Sequence, residues 1–518
     1  MNYPKLARRA ARLAFLAVLF LAVARPAGAL DDFGVTPDKK LAKALADLAD
    51  VCFACGDKAK EKGLYGHARS FFDHALRYDP DHKATRKVMG FKKKKDAWVL
   101  DEDLIPLKDV INESKRQELE EKLVVETRDL RTKGVEPLWK FAADTGVPAE
   151  QRMLALFHVL RLCPEHRDAQ KAARATPDVM WFRHGLDDDD DANRAKWVGR
   201  GAAGAKIEGN TPYEQALGFA MAKRKTPWFV VHCDVGEASE AWAETLSQFA
   251  EASRDHSLEL LGLDKTEGPK DDAQRLHYTV FNNRDRFASF VEKCSGIEDP
   301  AQRNEVAKVS GGSETFKPYG SVWLYLQTGN DYGLRDGIAH DLGYKEITRC
   351  CGNTAYWLAH GFGYLNSTQM NGSTHARFYG VKASTVIDTG GKDALPGLGD
   401  SPAGWRLHTA MLAAGNKLLK PSQLGAVRVN DLDNSHMAQS YCYAEFLVTQ
   451  HKDKFSAFLK ASIKDRSKRI KEKGQPETAS EQNGRLFTEL GLTEDEFVTA
   501  FRAWAIANYA KLPGAAGE

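Results

Sequence analysis

Several signatures that would assign a function at once are missing from this chain. Net charge is only +2, from 73 Lys and Arg against 71 Asp and Glu, which argues neither for nucleic acid nor for general attraction to an anionic surface. Past residue 24 there is no apolar run near the roughly 20 residues needed to cross a bilayer, so stable membrane insertion is not expected. The phosphate-cradling G-x-x-x-x-G-K-[ST] loop and the G-x-S-x-G nucleophile elbow are both absent. Cysteine is sparse, with eight in 518 residues, and a chain of this length does not need disulfides to fold. Cys52-Phe53-Ala54-Cys55 has no second C-x-x-C and no preceding strand, so it reads as part of a helix and not as a metal or redox motif. The adjacent Cys350 and Cys351 would strain the backbone if bonded to each other.

What is present begins at the N-terminus. Lys5, Arg8, Arg9 and Arg12 precede an apolar run from Leu13 to Ala24, then Pro26 and the small residues Ala27, Gly28 and Ala29. That is the layout of a secretory signal, with cleavage expected between Ala29 and Leu30. Residues 1–29 are therefore expected to be a signal peptide, and the mature chain to be exported, periplasmic or extracellular.

Residues 30–185 carry apolar positions at helical spacing. An internal echo runs through them: "FFDHALRYDPDHKATRK" from Phe71 aligns with "LFHVLRLCPEHRDAQK" from Leu156. A helix closed by a proline and followed by another helix resembles the second half of a tetratricopeptide repeat. The run "FKKKKDAW" at Phe91–Trp98 reads as solvated surface. Five consecutive aspartates, Asp187–Asp191, lack the alternation of a calcium loop and mark a linker over 186–210. Residues 211–315 suggest an α/β segment: "TPWFVVHCDV" is a strand, "EASEAWAETLSQFAEASRDHSLELLGL" a helix, and "RLHYTVFNNRDRFASFVEK" a strand running into a helix. Residues 316–512 read as helical, with a tail at 513–518. The expected class is α+β, mainly α.

The stretch that carries chemistry is "DGIAHDLGYKEITRCCGNTAYWLAHGFGYLNST", Asp336–Thr368. With the preceding strand–helix–strand order and the later "SYCYAEFLVTQHKDKFSAFL", it resembles the gluzincin metallopeptidases of the peptidase-MA-like group. In that resemblance H-E-x-x-H supplies two histidines one helical turn apart and a general base, and a Glu in W-L-x-E-G supplies the third zinc ligand. Here His340 stands at the first ligand, Asp341 at the base, Tyr344 at the second ligand and His360 at the third, with Trp357 and Gly361 as scaffold. Asp341 is one methylene shorter than Glu. That withdraws a base by about 1.5 Å where a misplacement of about 1 Å already costs on the order of 100-fold in rate. A tyrosine, with its pKa near ~10, is a poor neutral-pH zinc ligand. His375, His408, His436 and Glu346 are the residues available to complete a set around His340 and His360.

The resemblance then implies an exported, catalytically inactive peptidase homologue that binds a peptide or protein partner and needs no cofactor. The alternative is an active zinc peptidase with a rearranged ligand set using His340, His360 and Asp341. A structural cell-envelope protein is the third reading. The sequence carries no signature of an oligomeric state.

Overall fold

A computed structural model describes residues 33–94, 97–100, 113–163, 165–173, 203–271, 274–308, 313–316, 320–324, 332–352, 354–371, 402–427, 432, 434–473 and 477–510. The expected signal peptide, the aspartate run and His375 lie outside these residues. The described chain is mainly helical with two small sheets. Among the described residues no helix is long and apolar enough to cross a membrane.

The N-terminal region pairs helix α1 (Lys39–Glu61) with α2 (Tyr65–Tyr78), and α4 (Glu113–Ala143) with α5 (Ala149–Leu162), and α1 also packs on α4. The sequence echo has a structural counterpart. Each copy is a helix followed by a short one, α2 then α3 (Lys83–Val88), and α5 then α6 (Arg167–Ala172). Each short helix is N-capped by the equivalent histidine: His82 accepts from the amide of Thr85, and His166 from that of Ala169. Tyr78 and His158, 3.0 Å apart, and Arg161 and His74, 2.8 Å apart, tie the two copies together. Cys52 and Cys55 are buried on α1 as helix residues. All eight cysteines are buried free thiols.

One element differs from the sequence reading. Phe91–Lys94 and Ala97–Leu100 form an antiparallel hairpin, β1–β2, within the otherwise helical region. The Arg86 guanidinium lies 5.1 Å from the Phe91 ring and 5.2 Å from the Trp98 ring. This cation–π clasp comes from outside the hairpin, so the lysine run conceals it.

The second sheet has order β3-β4-β5-β6-β8-β7, with β3 Ala205–Lys206, β4 Ala222–Lys225, β5 Phe229–Asp234, β6 Leu276–Phe281, β7 Ser313–Phe316 and β8 Gly320–Leu324. It begins and ends outside the 211–315 segment. Strands β5, β6 and β8 are mutually parallel, and the flanking pairs are antiparallel. β5 is buried along its whole length, as expected of a parallel strand covered on both faces. One face carries Phe229, Val231, Tyr278 and Val280. They pack against α8 (Ser239–Leu261) and against Leu334, Ile338 and Leu342 of α11 (Tyr332–Cys351). The other face is covered by α7 (Pro212–Leu217) and α9 (Arg284–Cys294) through Tyr213, Phe287 and Phe290. Helix α10 (Pro300–Lys308) packs on α9.

The C-terminal helices are α12 (Tyr356–Asn371), α13 (Pro402–Ala414), α14 (Pro421–Ala426), α15 (Asn434–Gln450), α16 (Lys452–Lys473), α17 (Ala479–Leu490) and α18 (Glu494–Tyr509). α12 is buried on nearly every side, the mark of a central helix. Aromatic contacts surround it: Phe362 stacks on Phe455 at 5.0 Å, and Tyr443 meets Phe501 edge-on at 4.5 Å. Phe33 joins the two helical regions, 4.9 Å from Phe157 on α5 and 5.2 Å from His408 on α13.

Candidate functional site

The site is built on the crossing of α11 and α12, and two glycines set how closely those helices approach. A methyl added at Gly343 would fall 2.5 Å from the Phe362 carbonyl oxygen and 3.0 Å from the Gly363 Cα. One added at Gly363 would fall 2.7 Å from His340 Nε2. No side chain fits at either position, so the backbones meet almost directly and the His340 ring lies across Gly363.

Helical spacing then collects five rings. His340 and Tyr344 are one turn apart on α11, and Tyr356, His360 and Tyr364 are successive turns of α12. His340 Nε2 is 3.4 Å from His360 Nδ1. Tyr344 lies 4.6 Å and Tyr356 4.0 Å from the His360 ring, centre to centre, and Tyr364 lies 4.8 Å from that of His340. The Tyr356 and Tyr364 hydroxyls are 3.2 Å apart. Behind them Tyr364 packs edge-on against Trp405 of α13 at 5.2 Å. The three positions that the resemblance assigns to zinc ligands, 340, 344 and 360, therefore converge in space.

His340 is fully buried and His360 is 7% exposed. Burial lowers both pKa values, with His360 also opposing a charge on His340; that of His360 falls to about 3. Both imidazoles are neutral at pH 7, the form that binds metal. Their 3.4 Å separation is long for a hydrogen bond. It does match the spacing of about 3.3–3.4 Å that two nitrogens take on a tetrahedral zinc with bonds of ~2.0–2.1 Å. The donor set stops there. Among the described residues no group of three or more His, Cys, Asp or Glu side chains can hold a metal ion, whereas a hydrolytic zinc needs three protein ligands and an open position. The described residues do not make up that set.

Asp341 is committed elsewhere. Its carboxylate points toward the sheet, accepts a hydrogen bond from the Tyr278 hydroxyl at 2.8 Å, and lies 3.2 Å from Lys345 Nζ. Burial, then the neighbouring Asp341, raises the Tyr278 pKa, so its phenol stays a donor. Asp341 is wholly buried and ties α11 to β6. It fills the sequence position of a general base while serving as a structural anchor.

The other candidates are placed as follows. Glu346 is buried and pairs with Arg254 at 3.2 Å and Arg349 at 2.7 Å. His408 contacts Ser435 Oγ at 3.1 Å and the Phe33 ring. His436 sits on the first turn of α15 and forms no three-donor group with His340 and His360. The scaffold residues Trp357 and Gly361 face α15 and α17. Trp357 meets Tyr443 of α15 edge-on at 6.0 Å and its Nε1 donates to Asn483 of α17 at 3.3 Å. A methyl at Gly361 would fall 2.3 Å from the Ser440 carbonyl oxygen. The contact with α11 is made by Gly363 instead.

Sequence reasoning missed Tyr278, Lys345, Tyr356, Gly343 and Gly363. The i,i+4 pairs Asp341–Lys345 and Tyr356–His360 were there to be found; Tyr278 lies 63 residues from its partner and carries no local signal. No family model matches the chain, and no curated protein matches it.

Proposed function

We propose that this chain is an exported binding protein for a peptide or protein, built on a gluzincin-like scaffold whose hydrolytic chemistry is gone. The observation that carries the reading is the engagement of Asp341. A carboxylate that holds a buried tyrosine and a lysine is not free to take a proton from water, and general-base catalysis requires that reach. Tyr344 at the second ligand position leaves two imidazoles where three ligands are needed. Tyr344 and Tyr356 are partly exposed beside this buried pair, and partly buried aromatics suit a contact surface.

The test is equilibrium binding of a fluorescent peptide library to the mature chain, with mass analysis of every peptide after prolonged incubation with zinc. Peptides that are retained intact, with retention lost in Tyr344→Ala, agree with the proposal. Cleavage products that disappear in Asp341→Asn would sink it. A second reading, a zinc peptidase with a rearranged ligand set, is favoured by the 3.4 Å His340–His360 spacing, and the same products would support it.

A further inference from the structure

A second histidine pair lies on the opposite face of the sheet, away from the α11–α12 crossing. Strands β5 and β6 are parallel, with Val230 opposite His277 and His232 opposite Thr279. Both imidazoles project to the face covered by α7. Their rings lie nearly parallel, 13° apart in plane with centres 5.6 Å apart, and His232 Nε2 is 3.4 Å from His277 Nδ1. His232 is fully buried, and its Nδ1 is enclosed with no hydrogen-bond partner among the described residues.

One side chain covers both rings. Tyr213 on α7 meets His232 edge-on at 4.9 Å and His277 at 5.6 Å. α7 is only six residues long, far too short to persist without tertiary contacts. Its second anchor is Glu214, which accepts from the Thr211 and Met221 amides and the Lys223 ammonium, each at 2.7 Å.

Among the described residues the charges nearest His232 are already matched. On α7 and β4, Glu214 and Lys223 form a buried ion pair. At the end of β5, Asp234 is paired with Arg286 of α9 at 2.6 Å. The Cys294 thiol of α9, in the same apolar cluster, has a pKa raised by burial and stays neutral. A proton added to His232 would thus be an enclosed positive charge near Lys223 with no unmatched counter-ion among the described residues, and such a charge is costly.

We propose that His232, stacked on His277 beneath Tyr213, is a proton-operated latch that holds α7 on the sheet while neutral and releases it when protonated. Release uncovers Phe281, Phe287 and Phe290, the apolar face that Tyr213 and Leu217 now close. Burial first, then His277 and Lys223 against an opposing pull from Glu214, lowers the His232 pKa to about 3, while an exposed imidazole titrates near ~6.5. The open form therefore takes up the proton first as pH falls.

Hydrogen exchange resolved by segment tests this on the mature chain. After correction for intrinsic rates, one such histidine makes opening of residues 211–221 rise about 8-fold between pH 7 and pH 5.5. His232→Gln removes the rise, and α12 shows less change than the 211–221 segment. Equal pH dependence in the parent and His232→Gln, or none in the parent, overturns the latch. Nitrogen NMR of the parent's histidine rings gives an answer that does not depend on the variant folding. If His232 titrates while residues 211–221 stay protected, the latch is refuted; if its protonation tracks the opening, it stands.

Discussion

Replacing Gly343 by alanine probes the contact on which the site depends. In an ordinary exposed helix the exchange stabilises by about 1 kcal/mol, because glycine has more backbone entropy to lose. Here the added methyl would fall 2.5 Å from the Phe362 carbonyl oxygen and 2.9 Å from Asn366 Cβ. The nearest clash is with backbone, which cannot rotate aside as a side-chain end can, so α11 and α12 must move apart. Overpacking of this kind costs about 1–3 kcal/mol. The net expectation is a loss of up to about 2 kcal/mol. Gly484, inside α17, is the control, since nothing lies within 4 Å of a methyl added there. Gly484→Ala should gain about 0.5–1 kcal/mol. Urea unfolding followed by tryptophan fluorescence should place the Gly343→Ala midpoint below that of Gly484→Ala by up to about 1 M, taking a slope of ~2–3 kcal/mol per M. If Gly343→Ala is as stable as Gly484→Ala, the helices are not held at the described distance and the geometry of the histidine pair fails with them.

Asp341→Asn leaves the Lys345 ammonium without its partner and should cost about 2–4 kcal/mol in the same unfolding assay; an unchanged midpoint would mean that Asp341 is not an anchor. Acid should destabilise the fold well before carboxylates titrate. His158, His232 and His360 are each lowered to about 3 by burial, so the unfolded chain takes up their protons near ~6.5 and the folded chain only near 3. Stability is then complete above that window and is lost as pH falls through it. At pH 5 each histidine accounts for about 2 kcal/mol, and a flat stability profile between pH 7 and pH 5 would contradict their burial. Thiol titration should find no reactive cysteine in the native chain and eight after denaturation, because burial raises every thiol pKa; fast native labelling would place at least one of them at the surface.

Local patterns made much of this architecture legible. Strand β5, helix α8, strand β6 and helix α9 stand where β-branched and aromatic runs and helical spacing put them, because each is set by its own residues. The echo of His82 in His166 corresponds to two matching helix caps. What escaped was non-local. The hairpin at Phe91–Leu100 depends on Arg86 reaching two rings. The anchor at Asp341 depends on a tyrosine from a distant strand. The scaffold residues Trp357 and Gly361 turned toward α15 and α17, because on a helix buried all round hydrophobic pattern does not say which neighbour each face meets. Positions 340, 344 and 360 could be aligned from sequence, but the confinement of His340 by Gly363 required the crossing itself.

We propose that this site keeps the arrangement of a zinc hydrolase without its ligands. Metal stoichiometry after zinc loading and desalting tests it most directly, on the mature parent, on His340→Ala, and on a variant carrying Asp341→Glu, Tyr344→His and His360→Glu together. No zinc should be retained by the parent or by His340→Ala, and about one per chain by the triple variant, whose three ligands suffice for zinc. One zinc per parent chain, lost in His340→Ala, would contradict it.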